Sequence, residues 1–260
     1  MNEDLASRMK EYEIPETERK FLKTSPIYVR LDGRGFSKFT KKLIKPFDSR
    51  LHDLMKETTK HLISQTHAKI AYTQSDEISL LYNATFEADH FFNGKIMKIT
   101  GVLSSMATSY FCINLKKYFP DDFEKLETQY PHFDARAFQI PELGLSEYAN
   151  MFLFRWQDCR RNAVSMAARN KMSHKSLQGM NTPTMIEELA KQGVVFSDYP
   201  ESFRYGTFMK KETVEMLSSD YLHKIPANQP LPESVMRTVI VDRCITDFDK
   251  INRVKYMFGE

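Results

Sequence analysis

A chain of 260 residues with 42% hydrophobic and 27% charged residues can bury a sizeable core, which excludes an intrinsically disordered protein. Its net charge of +3, with a pI of about 8.6, neither demands nor excludes an RNA partner, because recognition depends on a basic patch on one face. Cys112, Cys159 and Cys244 are odd in number, far apart and form no Cys-x-x-Cys, which argues against a disulfide framework or a zinc site and for reduced, buried thiols.

The seven histidines include no pair at helical ligand spacing, and His132 beside Asp134 reads as structural. The amino terminus is acidic and polar, with no apolar leader, and no uncharged run reaches about 18 residues. A cytoplasmic protein with no membrane partner is the expectation.

In chain order, Ile27-Tyr28-Val29-Arg30-Leu31 is rich in β-branched and aromatic residues and reads as a strand, stopped by Gly33 and Gly35. Asp32 therefore stands at the strand's carboxyl end. Leu51, Leu54, Met55, Thr58 and Leu62 recur at helical spacing behind an N-cap at Asp48 or Ser49. Ile70 to Thr73 and Ile78 to Tyr82 form two short strands around a polar turn, so Asp76 and Glu77 fall at a hairpin tip. Ile96, Ile99, Leu103, Met106, Tyr110 and Ile113 trace a long apolar stripe from about Asn93 to Tyr118, ended by Pro120. Phe133 to Ile140 reads as a fourth strand. This β-α-β-β-α-β order predicts an α+β, ferredoxin-like fold with both helices on one face of an antiparallel sheet.

Beyond Pro141 the pattern turns helical. From about Ser146 to Ser173, Phe152, Trp156, Cys159, Ala163 and Met166 form an apolar stripe, while Asp158, Arg161, Asn162, Ser165 and Arg169 share another face. That face is either solvated or a phosphate-binding surface; Arg155, Arg160, Arg169, Lys171 and Lys175 nearby favour RNA or triphosphate contact. Thr182-Pro183 reads as the start of a short helix running through Lys191 and stopped by Gly193. Val194 to Phe196 and Arg204 to Met209 read as a strand pair joined by Asp198-Tyr199-Pro200, Asp220 to Pro232 as loop, and Val235 to Val241 as a strand. Asp242 to Glu260 carries no assignment. There are no repeats or low-complexity tracts.

If the first strand and the hairpin share a sheet, Asp32 and Asp76 converge. Magnesium takes octahedral oxygen ligands, usually one or two carboxylates plus substrate phosphates, and paired ions can clamp the attacking and leaving oxygens of a displacement. The Gly33 carbonyl is a further ligand candidate, and the N–H groups from Gly33 to Ser37 are placed to receive a triphosphate. Asp-Gly and Ser-Asp-Glu are also ordinary turn chemistry, and only their joint occurrence favours a metal centre. Glu77, pointing to the opposite face from Asp76, ranks lower as a catalytic group and is expected to order the hairpin or touch RNA.

Tyr28-Val29-Arg30-Leu31-Asp32-Gly33-Arg34-Gly35-Phe36, Lys45-Pro46-Phe47-Asp48, Ala71-Tyr72-Thr73-Gln74-Ser75-Asp76-Glu77 and Phe133-Asp134-Ala135-Arg136 closely resemble the tRNA-histidine guanylyltransferase superfamily, in order and spacing. The similarity runs from about Ile27 to about Lys210. It implies a palm-like catalytic core with an amino-terminal extension over residues 1–140, and a helical, short-strand extension over 141–260 packed on that core. It implies 3′-to-5′ nucleotide addition to RNA 5′ ends, with the end activated by ATP or GTP. Two Mg²⁺ ions would be held by Asp32, Asp76 and the Gly33 carbonyl. For the nucleotide, Phe36 and Ser37 are base-contact candidates, with Arg34, Lys45 and Ser75 as phosphate contacts and Gly35 in the same loop. Lys95, Lys98, Arg136, Arg161, Asn162 and Lys191 are RNA or triphosphate candidates. The partners implied are tRNA, nucleoside triphosphates and three further copies, as a dimer of dimers.

One departure bears on the substrate. Members dedicated to tRNA-histidine share a His-Ile-Asn-Asn-Leu-Tyr-Asn-Thr run, where this chain has Arg160-Arg161-Asn162-Ala163-Val164-Ser165-Met166-Ala167, of which only Asn162 matches outright, preceded by the matching Asp158-Cys159. It resembles the guanylyltransferase-like branch, which implies repair of 5′-truncated tRNAs by templated addition. Dedicated tRNA-histidine guanylylation is the alternative, and an inactive RNA-binding module the second. A diguanylate-cyclase-like enzyme lacks support, because its Gly-Gly-Asp/Glu-Glu-Phe hairpin is absent.

Overall fold

The computed structural model describes residues 4–84, 91–140, 144–217 and 234–259. In chain order the helices and strands are α1 (Leu5–Thr17), β1 (Ile27–Arg34), α2 (Phe36–Phe39), α3 (Ser49–Thr66), β2 (Ile70–Gln74), β3 (Glu77–Tyr82), α4 (Ile96–Tyr118), α5 (Phe123–Glu127) and β4 (His132–Phe138). They continue with α6 (Leu145–Lys171), α7 (His174–Leu177), α8 (Thr182–Lys191), α9 (Glu201–Tyr205), β5 (Thr207–Leu217), β6 (Ser234–Arg243) and α10 (Arg253–Phe258). The strands form one sheet in the order β4-β1-β3-β2-β5-β6, antiparallel at every junction. Strands from both halves of the chain thus share one sheet.

Strand alternation divides the core. Ile27, Val29 and Leu31 of β1 bury on the face covered by α3 and α4, whereas Tyr28 buries on the other face against Phe152 of α6. On α4 the buried residues Ile99, Leu103, Ala107, Phe111 and Leu115 recur every fourth position, one stripe on a helix that is by length and composition also apolar enough to cross a membrane. Asp48 caps α3 through the Arg50 amide. A third cluster ties Ala163, Val164, Ala167 and Ala168 of α6 to Leu177, Leu189, Phe196 and Phe203.

Several expectations need correction. Val194 to Phe196 is no strand: Phe196 to Asp198 is a single 3₁₀ turn, and Phe196 and Phe203 are drawn into the α6 cluster. The strand of that region begins at Thr207 and pairs with β2 and β6. The cap of α8 is Asn181, whose Oδ1 accepts from the Thr184 amide at 3.0 Å, one residue before the predicted Thr182. Helix α1 has no buried residue and Pro15 inside it, so its sequence carries no amphipathic signal. Asp220 to Pro232 and the boundary at Pro141 lie outside the described residues.

Candidate active site

The even-numbered residues of β1 point to the α6 face, and at its carboxyl end that face becomes charged. Asp32 stands opposite Glu77 of β3 on one side and Asp134 of β4 on the other. Directly opposed residues on antiparallel strands have Cβ atoms about 4.5–5.5 Å apart, so Asp134, Asp32 and Glu77 form a row across three strands. Asp76 joins it at the two-residue hairpin tip, where Ser75 adopts a φ of 50°. The Gly33 amide donates to the Asp76 carbonyl at 3.0 Å, fastening the end of β1 to that tip. The predicted convergence of the two segments is therefore present.

Burial pushes the Asp76 carboxyl up, its own amide and the Ser75 hydroxyl pull it down, and the Asp32 charge adds to the rise. Among the described residues neither Asp32 nor Asp76 forms an ion pair. Two adjacent carboxylates without a cationic partner, beside a backbone carbonyl, are hard oxygen donors that fit magnesium. No group of three or more His, Cys, Asp or Glu side chains converges on one point among the described residues. A sparse protein donor set suits magnesium, which keeps waters and phosphates as its other ligands.

The loop after Asp32 is shaped by packing. A Cβ on Gly33 would lie 2.4 Å from Phe36 Cδ2, and Gly35 adopts a φ of 71°, which a side chain would strain. The Phe36 ring, 2% exposed, sits among Phe39, Phe111 and Phe133. It cannot meet a nucleotide base, contrary to the sequence expectation; only the backbone of Phe36 faces the loop. Arg34, Gly35 and Ser37 are exposed.

Beside the hairpin tip lies a cleft that Gln74 and Ser75 reach but that neither Asp32 nor Asp76 lines. Lys45-Pro46-Phe47-Asp48 forms one wall, Gln74 and Ser75 adjoin the tip, and Asn162, Ala163 and Met166 of α6 form the opposite wall. Asp48, 6% exposed, accepts from the Ile44 and Arg50 amides, both at 3.1 Å, and from Arg50 Nη2 at 2.8 Å. Burial raises its carboxyl, but the Arg50 and Ile44 hydrogen bonds outweigh that and hold it below the ordinary range. The wall is thereby fixed to the start of α3. Burial and Lys56 push His52, on the same side, down to about 4 against the opposing charges of Asp53 and Asp242.

Other predicted contacts separate into groups. Asn162 lines the cleft, and its Nδ2 donates to Asp158 Oδ2 at 3.3 Å, with Arg161 on Asp158 Oδ1 at 2.9 Å. Arg136 is exposed on β4, with Asp134 Oδ1 at 3.7 Å from its Nε. Lys95 and Lys98 are not brought to the site within one chain: β3 runs away from the tip, and α4 starts at the far end of the sheet, where Lys95 pairs with Glu18. Lys191 pairs with Glu188 at 2.6 Å outside the cleft. Glu77 is buried and faces Arg155 and Arg30. Burial pushes its carboxyl up to about 7, although the two guanidiniums oppose the rise.

Arg155 is the residue that sequence reasoning misplaced. Grouped with surface cations, it is in fact buried against Glu77. The available signal was its spacing: residue 155 falls between Phe152 and Trp156 and four before Cys159, on the apolar stripe, where an arginine implies a buried acid.

Residues 6–141 match the family described as Thg1, tRNAHis guanylyltransferase. An uncharacterized protein of Acanthamoeba polyphaga mimivirus is 30% identical over 233 residues, covering 83% of this chain and 80% of its own. The tRNA(His) guanylyltransferase of Neurospora crassa is 30% identical over 224 residues, 80% of this chain and 73% of its own. A solved bacterial tRNA(His) guanylyltransferase (Thg1)-like protein in complex with ATP is 34% identical, with a TM-score of 0.73 over 80% of this chain and 89% of that one. Another bacterial Thg1-like structure, in complex with GTP, is 27% identical with a TM-score of 0.74, covering 98% of this chain and 100% of that one. With its carboxylate pair, its cleft and these relatives, the chain belongs to the tRNA(His) guanylyltransferase (Thg1) family.

Proposed function

We propose that the protein is a nucleotidyltransferase that adds nucleotides to RNA 5′ ends in the 3′-to-5′ direction, with 5′-truncated tRNAs as substrates. The observation that carries this reading is the Asp32–Asp76 convergence, fastened by the Gly33 amide on the Asp76 carbonyl, beside a cleft walled by Lys45-Pro46-Phe47-Asp48 and α6. The β4-β1-β3-β2 part of the sheet, with α3 and α4 on one face, is read as a ferredoxin-like palm.

In this reading Asp32, Asp76 and the Gly33 carbonyl hold magnesium, which when bound supplies charge neutralisation and a lowered pKa at the attacking hydroxyl. The cleft takes ATP or GTP, as bacterial relatives do, with Lys45 and Ser75 near its phosphates and the loop amides from Gly35 to Ser37 as donors. An RNA 5′-monophosphate oxygen attacks the α-phosphorus of ATP, and pyrophosphate leaves. The 3′-hydroxyl of an incoming nucleotide then attacks the activated 5′-phosphorus, gives up its proton, and AMP leaves. On a triphosphorylated end, pyrophosphate leaves instead. Ala163 and Met166 on the cleft wall stand at α6 positions that depart from the tRNA-histidine-dedicated run, whereas Asn162 matches it; the departure supports the repair branch.

The second reading, dedicated guanylylation of tRNA-histidine, is favoured by the name of the Neurospora relative. The test incubates the protein with Mg²⁺, ATP and labelled nucleotides on full-length tRNA-histidine and on 5′-shortened tRNAs. Extension of shortened tRNAs, lost in Asp32→Ala and Asp76→Ala with the fold kept, is the expected result. Guanosine addition restricted to full-length tRNA-histidine replaces it with the second reading, and unchanged extension in either variant removes that residue's metal role.

A further inference from the structure

Arg155 occupies the buried stripe of α6 with a side chain only 7% exposed, and the Glu77 side chain it faces is 9% exposed. Its Nε lies 2.9 Å from Glu77 Oε1, yet neither atom has a hydrogen-bond partner, so the pair is held by charge and by its surroundings rather than by a directed bond. On the α6 side stands Asp158, one turn on, which accepts from Arg155 Nη2, from Arg161 and from Asn162. On the sheet side, Glu77 stands opposite Asp32 and directly follows Asp76. One guanidinium therefore connects the strand ends that carry the metal carboxylates to the helix turn that carries Asn162 into the cleft.

Removing one partner of a buried ion pair leaves the other charge uncompensated. Here the stranded group is Glu77, next to two carboxylates that form no ion pair among the described residues. With Arg30 Nε 3.8 Å away as its remaining cation, Glu77 in its charged form would push against Asp32 or draw the hairpin tip toward water. Either movement separates Asp76 from Asp32. Packing alone does not call for a charge at position 155, since Phe152, Trp156 and Cys159 of the same stripe anchor the helix with apolar contacts.

We infer that Arg155 is a positioning residue of the nucleotidyl-transfer centre: by holding Glu77 against α6 it keeps Asp32 and Asp76 at the spacing a divalent cation needs, and it ties the Asn162 wall of the cleft to that pair. The inference rests on the metal-dependent reading above and adds a residue that touches neither metal nor substrate.

The test measures Mn²⁺ affinity by electron paramagnetic resonance in the presence of GTP, together with thermal unfolding and steady-state kinetics. The proteins compared are wild type, Arg155→Met, Arg155→Lys, Glu77→Gln, Arg155→Met/Glu77→Gln and Asp32→Ala. Arg155→Met is expected to weaken Mn²⁺ binding about tenfold and to lower kcat, with KM for ATP changed by no more than about twofold. Arg155→Lys, which keeps the charge without the planar fork, falls between the two and carries the test if Arg155→Met does not fold. Adding Glu77→Gln to Arg155→Met removes the stranded charge and restores most of the Mn²⁺ affinity. A fall in unfolding temperature with unchanged Mn²⁺ affinity and kcat would reduce Arg155 to a structural residue and overturn the inference, as would strictly additive losses in the double variant. Normal Mn²⁺ binding by Asp32→Ala would refute the metal site itself, and the inference with it.

Discussion

Replacing Gly33 with alanine adds one methyl group at the point where the core and the site share an atom. That methyl would stand 2.4, 2.6 and 2.8 Å from Cδ2, Cγ and Cε2 of Phe36. Carbon atoms rest about 3.5–4.0 Å apart, so one side must yield by roughly 1 Å. The ring has little room, with Phe39, Phe111 and Phe133 centroids at 5.3, 5.4 and 5.2 Å. If it moves, the overpacked core costs about 2 kcal/mol, which for a chain of this size lowers Tm by roughly 4–8 °C. If the backbone moves instead, the Gly33–Asp76 hydrogen bond at 3.0 Å opens and the two carboxylates part. Thermal unfolding reads the first outcome and labelled-nucleotide incorporation the second, with a loss of about tenfold or more expected. Gly33→Ala combined with Phe36→Leu, which removes the ring edge, is expected to recover part of the Tm. A Gly33→Ala protein with unchanged Tm and unchanged incorporation would refute the reasoning, because the clash then has an escape that the packing does not contain.

Asp48→Ala removes the α3 cap and the acceptor of the Ile44 amide, so it is expected to cost about 2 kcal/mol and to weaken ATP binding as the Lys45–Phe47 wall loosens; denaturant melts and ATP titration check both effects. His52 is held at about 4 against an ordinary 6.5, so it supports the fold above pH 6.5, and that support is lost as pH falls toward 4. His52→Gln should therefore lose less stability than wild type across this window, by about 3 kcal/mol at most, which parallel urea melts at neutral and acid pH would read. Tyr148 donates to the Pro26 carbonyl at 2.8 Å and accepts from the Ile140 amide at 2.9 Å, both at the sheet end remote from Asp32. Tyr148→Phe is expected to cost about 1–2 kcal/mol with no change in metal affinity, a stability loss to set beside that of Arg155→Met.

Elements whose apolar residues repeat at a clean period were legible in the sequence. The Leu51 to Leu62 spacing and the Asp48 cap specify α3, and the two runs around Ser75-Asp76 specify the β2–β3 hairpin, because local propensity and burial agree there. Val194 to Phe196 looked like a strand because β-branched and aromatic residues carry the same signal whether they enter a sheet or a helix-lined cluster; the α6 pocket for Phe196 decides it, and that pocket is built from distant residues. Helix α1 was illegible for the opposite reason, having no buried face to leave a pattern. At the site, turn chemistry exposed Asp32 and Asp76. The cleft walls were only partly legible, since Met166, on the apolar stripe, and Asn162, on the polar face, both end up lining the cleft. Phe36 and Arg155 were misjudged in opposite directions: an aromatic beside a glycine loop suggested a base platform and proved to be core, while an arginine near other cations suggested surface and proved to be buried.

The placement of charge follows from a single strand's alternation. Along β1, Tyr28, Arg30 and Asp32 point to the same face, so the strand passes from an aromatic packed on Phe152, through a guanidinium, to a carboxylate within a few residues. The opposite face, Ile27, Val29 and Leu31, stays apolar and anchors the strand against α3 and α4. A carboxylate row at such an end would spread apart unless two things held it. One is the hydrogen bond from Gly33 to the Asp76 carbonyl, which needs no side chain and so survives close packing by Phe36. The other is positive charge brought to that same face by α6, because of the β1 residues only Arg30 pairs with Glu77, at 3.8 Å. The helix that covers the second face is thus part of the same electrostatic unit as the strand ends, and a change in α6 that leaves its apolar stripe intact but removes Arg155 should be felt first at Asp32 and Asp76 rather than in the core.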